Sequence, residues 1–164
     1  MALPVSYTWS KRGSRNRLRV PTRWGSQGRL NLIGALAWGK EKRILHVELL
    51  EESVKSAHMV AFIDELARNA PADHLTVIVL DNASFHTAAS VRERRQGWEE
   101  KNVLLRYLPP YAPHLNPIEA LWKHLKCFLL PRRCYDSVTQ LRKAMLEALD
   151  LLGAIRVNSS VGEA

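Results

Sequence analysis

Hydrophobic and polar positions alternate between two periods along this chain. Leu30–Trp38 (LNLIGALAW) is apolar enough for a strand, and after a turn at Gly39–Lys42 the segment Ile44–Leu50 sets Leu45, Val47 and Leu49 against Ile44, His46 and Glu48. That period of two predicts an antiparallel hairpin. A helix follows to about Asn69, capped by Ser53 or Ser56, with Met59, Val60, Phe62, Ile63, Leu66 and Ala67 on one face and Pro71 stopping it. Leu75–Leu80 is apolar without alternation, as expected of a central strand covered by helices on both faces.

Thr87–Lys101 reads as a polar helix, Val103–Tyr107 as another strand, and Pro109, Pro110 and Pro113 as a stiff extended loop. A helix then runs from Asn116 to about Leu129. In the last helix Ser137 and Gln140 form a capping box, Val138, Leu141, Ala144, Met145, Ala148, Leu149 and Leu152 make the apolar stripe, and Gly153 ends it. A hairpin followed by strand and helix units indicates an α/β fold built on a mixed sheet flanked by helices. The organisation expected is a basic, mostly loop segment over 1–29, one domain over 30–153 and a frayed tail over 154–164.

Charge adds a partner. The net charge is +8, and residues 1–40 hold Lys11, Arg12, Arg15, Arg17, Arg19, Arg23, Arg29 and Lys40 with no acid. From Glu41 onward bases and acids balance. A basic front on a neutral body is the electrostatic footprint of a polyanion such as DNA, although a solvated surplus near a terminus has the same composition. Trp9 and Trp24 lie among these bases and could stack on unpaired bases; Trp38, Trp98 and Trp122 are core candidates. Cys127 and Cys134 match neither a zinc site nor a disulfide framework, and no apolar stretch approaches the ~20 residues of a membrane span. The expected location is the cytoplasm, at the nucleoid, with no membrane partner.

The candidate chemistry lies in TVIVLDNASFH and LPPYAPHLNPIEALW. Asp81 falls at the carboxyl end of a predicted strand, where ligands gather in open α/β sheets, but an Asp-Asn pair there also serves to turn the chain. Glu119 falls in the first turn of a helix, where it can either complete a capping box with Asn116 or point forward to a cation. Paired, the two carboxylates suit a divalent metal of phosphodiester chemistry. Asn82 and His86 are candidates to support that metal from behind, and His114 and Asn116 to touch phosphate or stiffen the loop.

These two motifs closely resemble the catalytic region of Asp-Asp-Glu transposases of the mariner-like superfamily, nearest to its bacterial insertion-sequence branch. The likeness extends from YTWSKRG through GRLNLIGAL to YDSVTQLRKAM. It implies a ribonuclease H-like fold, two Mg²⁺ or Mn²⁺ ions, and cleavage and strand transfer at insertion-sequence ends. Asp81 matches the family's second aspartate and Glu119 its final acid. The basic residues would hold the DNA backbone, and a homodimer or a full-length transposase is the implied protein partner.

The family's first aspartate lies on a strand shortly before the segment matching YTWSKRG, and this sequence has no acid before Glu41. The expectation is therefore an N-terminally truncated catalytic domain, from a decayed element or the downstream frame of a split one, with doubtful activity alone. Its sheet should keep an open edge. Two other readings stay open: a non-catalytic DNA-binding or regulatory remnant, and a ribonuclease H-like nuclease unrelated to mobility.

Overall fold

The computed structural model describes residues 29–38, 43–110, 112–130, 135 and 137–157. Lys11, Arg12, Arg15, Arg17, Arg19 and Arg23, together with Trp9, Trp24 and Cys134, lie outside the described residues.

The hairpin forms where the alternation places it. Strands β1 (Asn31–Trp38) and β2 (Arg43–Leu50) pair antiparallel, with Asn31 opposite Leu50 and Trp38 opposite Arg43. Alternation along β2 is less clean than expected. Leu45 and Val47 are buried, but so is Glu48 at 6% exposure. The cause is that β2 is the central strand of a three-stranded sheet, order β1-β2-β5, covered on both faces. Strand β5 (Ile155–Arg156) adds in parallel, with His46 opposite Ile155, and Val157 is buried beyond it. Residues 154–157, read as the start of a frayed tail, thus close the sheet; residues 158–164 lie outside the described residues.

Helix α1 (Ser56–Arg68) buries His58, Met59, Phe62, Ile63 and Ala67 against one face of the hairpin. Its N-cap is Lys55 rather than a serine, because the buried His58 ring accepts the Lys55 backbone N–H through Nδ1 at 3.1 Å. That bond occupies the orphan donor a serine cap would leave to water.

Strand β3 (Thr76–Leu80) pairs in parallel with β4 (Val103–Tyr107), from Thr76 opposite Val103 to Leu80 opposite Tyr107. Helix α2 (Ala89–Glu99) connects them and packs on α1 and β4. The expectation of β3 as a central strand covered on both faces is corrected. Among the described residues it pairs with β4 alone, and Leu75, Val77 and Val79 are 61%, 48% and 55% exposed. Only its inward side chains, Ile78 and Leu80, meet the core beneath α1 and α2. Two small sheets are therefore described in place of one. They share a core, since Ile33 of β1 and Leu80 of β3 join one buried cluster.

The other face of the hairpin is covered by α3 (Pro117–His124), a wider π-helical turn over Leu125–Leu129, and α4 (Val138–Leu151). Ser137 caps α4, its Oγ accepting the Gln140 N–H at 3.2 Å, and Gly153, with φ of 63°, lets the chain leave the helix. The result is a mixed α/β fold with helices on both sides of the hairpin. Of the core tryptophan candidates, Trp98 is buried at 1%, Trp122 is half-buried, and Trp38 is 60% exposed at the hairpin end.

Candidate active site

Asp81 follows directly on β3, and the chain turns there as Asp-Asn pairs do. Its Oδ1 accepts the Ala83 backbone N–H at 3.0 Å, closing an Asx turn. The same oxygen lies 2.7 Å from Nδ1 of His86, which is also 3.2 Å from the Asp81 carbonyl. Both groups facing Nδ1 are acceptors, so Nδ1 carries the proton and donates, which leaves Nε2 as an acceptor in the neutral ring. The Asp81 side chain is 46% exposed and that of His86 only 13%. One carboxylate oxygen is thus saturated by two donors, while Oδ2 takes no partner among the described residues.

The surroundings fix this pair. Phe85 leans edge-on against the His86 ring, centroids 4.5 Å apart, and packs on the core shared by α1 and α2. The Tyr107 hydroxyl donates to the His86 carbonyl at 2.9 Å. Asn82 Nδ2 donates to the Leu108 carbonyl at 2.7 Å, beside the Leu108 N–H to Leu80 carbonyl bond at 2.8 Å. The carboxyl ends of β3 and β4 are thereby tied together around Asp81. Asn82 is a strut between two strands rather than a close partner of the Asp81 carboxylate. Tyr107 and the Leu108 carbonyl were not singled out from the sequence. The adjacency of a strand-ending tyrosine to the Pro-Pro loop is the one signal that could have pointed to them.

Glu119 stands in the first turn of α3, behind the turn at Pro113–Leu115. Asn116 is the N-cap residue and Pro117 opens the helix, as their residue types predict. The capping box does not form. Asn116 makes no side-chain cap bond, and only its carbonyl accepts the Glu119 N–H, at 3.1 Å. The Glu119 side chain is exposed and unpartnered among the described residues. Helix α3 is seated by Trp122, whose ring lies over Gly34 of β1, where a Cβ would come within 2.6 Å of it. His114 is exposed in the turn.

Asp81 and Glu119 belong to separate hydrogen-bonded neighbourhoods, and no described contact joins them. Among the described residues no group of three or more His, Cys, Asp or Glu side chains is gathered for a metal. What Asp81 and Glu119 offer is hard carboxylate oxygen, the donor type that Mg²⁺ and Mn²⁺ accept. Arg29, the one described member of the basic cluster, is exposed before β1 and donates to the Ser53 hydroxyl.

Asp81 thus lies at the carboxyl end of a parallel strand, where ligands gather in open α/β sheets. Residues 2–142 match the family described as DDE superfamily endonuclease, and the chain belongs to that family. A curated relative is the uncharacterized protein y4pE/y4sA of Sinorhizobium fredii (strain NBRC 101917 / NGR234), 27% identical over 79 residues, 48% of this chain and 54% of the relative. The chain thus spans about half the length of the curated relative it matches. Among the described residues no helix is long and apolar enough to cross a membrane.

Proposed function

We propose that the chain is the catalytic domain of an insertion-sequence transposase of the mariner-like branch, with a ribonuclease H-like fold, cutting and joining DNA at the element's ends. The observation that carries this reading is the state of Asp81. One of its oxygens is saturated by Ala83 and His86 and the other takes no partner, at the mouth of a parallel strand pair in a chain of the endonuclease family.

In this reading Asp81 and Glu119 would hold Mg²⁺ or Mn²⁺, which would supply Lewis-acid polarisation of a phosphodiester. His86 keeps the Asp81 carboxylate in one orientation through its Nδ1–H. Asn82 and Tyr107 hold the two strand ends at a fixed spacing. Asn116 and Pro117 set the direction of α3 and with it the reach of Glu119. Arg29 and the basic residues before it bind the DNA backbone by charge. Synapsis of two ends calls for a second copy of the chain or a full-length transposase.

The test is nicking of supercoiled plasmid in Mg²⁺ and Mn²⁺ by the purified chain, alone and mixed with a full-length family transposase, with Asp81→Asn and Glu119→Gln beside it. Metal-dependent nicking lost in both variants is expected. Nicking that survives both removes the assignment.

A second reading is favoured by the lack of any gathered three-ligand group among the described residues. The chain then binds DNA, or another transposase, without cutting. Salt-sensitive DNA binding that survives Asp81→Asn, with no nicking in either mixture, is its signature.

A further inference from the structure

We infer that the stacked rings of His124 and Phe128, at the end of α3 and in the π-helical turn after it, form a platform for one unpaired base of the DNA strand, an inference that rests on the reading of the chain as a DNA endonuclease. The two rings lie 5.2 Å apart between centroids, at 29° to one another. His124 is exposed and Phe128 is 72% exposed. The histidine covers one side of the phenylalanine ring and leaves its other side to solvent.

The turn is built so that this ring points outward. In a regular α-helix, residues five apart face directions about 140° apart. Here the Leu130 N–H bonds the Leu125 carbonyl at 3.0 Å, and this wider turn brings both leucines to one side. Leu125 is buried at 0% and Leu130 at 2%, with Leu129 packed beside them in the core under the hairpin. With the leucines taking the inner side, Phe128 is left outside, and its stack on His124 holds it there. A large apolar ring kept exposed by packing of its neighbours is a contact surface rather than a misplaced core residue.

The charge around the ring says what the surface contacts. Between Glu119 and Asp136 the sequence has no acid, while it has Lys123, Lys126, Arg132 and Arg133. Lys123 is exposed and Lys126 half-buried, and neither takes an acid among the described residues, whereas Arg94, Arg95, Arg142 and Arg156 are each paired with one. Lys123 stands four residues after Glu119 and so shares its face of α3. Phe128 follows Glu119 by nine residues, about 13 Å at helical rise. A strand reaching from the candidate metal ligand to the platform passes Lys123 on the way.

This set of groups selects among partners. A free inorganic anion gains nothing from the open ring, and an apolar peptide gains nothing from the unpaired lysines. A single strand uses both, its base lying on Phe128 and its phosphates on the lysines. A base inside a duplex already has both faces stacked on its neighbours, so the ring takes only an unpaired one.

The experiment compares single-stranded and duplex oligonucleotides by fluorescence anisotropy in metal-free buffer. Phe128→Leu keeps an apolar side chain and removes the ring; it should weaken single-strand binding about tenfold, the scale of one stacked base, and leave duplex binding nearly unchanged. Phe128→Trp should bind the single strand at least as well as wild type. Trp38→Leu removes another exposed aromatic, at the hairpin end, and should change nothing. Wild-type affinity for the single strand in Phe128→Leu, equal losses in Phe128→Leu and Trp38→Leu, or no single-strand binding by the wild-type chain overturns the platform. So does a change of sedimentation coefficient in Phe128→Leu without DNA, which would make the ring a contact between copies of the chain. Metal-dependent nicking tests the nuclease reading separately. The Phe128→Leu loss with no nicking in any mixture removes that reading and keeps the platform; nicking with wild-type binding in Phe128→Leu does the reverse.

Discussion

Nδ1 of His86 sits 2.7 Å from Oδ1 of Asp81, five residues earlier, across the turn that ends β3. The carboxylate is held by a ring that is itself held: Phe85 packs on its face and Tyr107 fixes its backbone. A carboxylate oriented in this way would lose less rotamer freedom on binding a cation, so in the proposed function His86 is a positioning residue for Asp81.

It follows that His86→Ala should weaken Mn²⁺ binding by about 10–100-fold, the usual cost of removing such a support, with little change in fold. His86→Asn, whose amide can donate to the same oxygen, should recover part of the loss. Calorimetric titration of Mn²⁺ checks both, and equal affinities in all three proteins would show that His86 does not position Asp81.

Gly34 faces Trp122 so closely that a Cβ would stand 2.6 Å from two ring atoms and 3.3 Å from the His46 carbonyl. Gly34→Ala should cost about 1–3 kcal/mol, as overpacking of a filled contact does. The cost should shrink in the double variant with Trp122→Leu. Urea unfolding of the four proteins gives the coupling, and additive losses would show that the indole is not what fills the space.

Trp98 is buried at 1% and its Nε1–H donates to Asp64 Oδ1 at 2.7 Å. Trp98→Ala should therefore destabilise by about 3–5 kcal/mol through cavity formation. Trp98→Phe keeps most of the volume and loses the bond, so a loss nearer 1 kcal/mol is expected. Denaturant midpoints separate the two, and a Phe variant as unstable as the Ala variant would place the energy in the hydrogen bond.

Two groups give stability a pH dependence of one sign. Burial lowers the pKa of His46, so the folded chain resists protonation that the unfolded chain accepts once pH falls below 6.5. The hydrogen bond from Lys55, then that from His58, holds the Glu52 carboxyl below its ordinary value of 4.5. Its contribution is complete above that value and is lost as pH falls through the lower folded pKa. Both effects remove stability on acidification, His46 first. His46→Gln should flatten the urea midpoint below about pH 6.5, and Glu52→Gln should flatten it only below about pH 4.5. A His46→Gln profile parallel to wild type would remove His46 from this account.

Which segments became helix or strand was readable from the chain because periodicity is local. Val103–Tyr107 forms as a strand over the expected residues, Ser137 caps α4, Gly153 ends it, and Asp81 falls at the end of β3, each decided by a residue and its neighbours within a few positions. The two motifs likewise pointed to the endonuclease family that residues 2–142 match. What depends on distant partners was not legible. Glu48 alternates as an exposed residue but is buried because helices from distant parts of the chain cover both faces of the hairpin. Val77 and Val79 read as buried and are exposed because a strand's burial depends on its neighbours, not on its own composition. Arg94 looks like its neighbours in sequence, and only the placement of Asp64 on α1 decides that it turns toward that helix. Sequence placed most of the elements and named the candidate acids, since these follow from local periodicity and residue chemistry. Tertiary structure decided the Asp81, His86 and Tyr107 chain, since it brings together segments that meet only when the chain is folded.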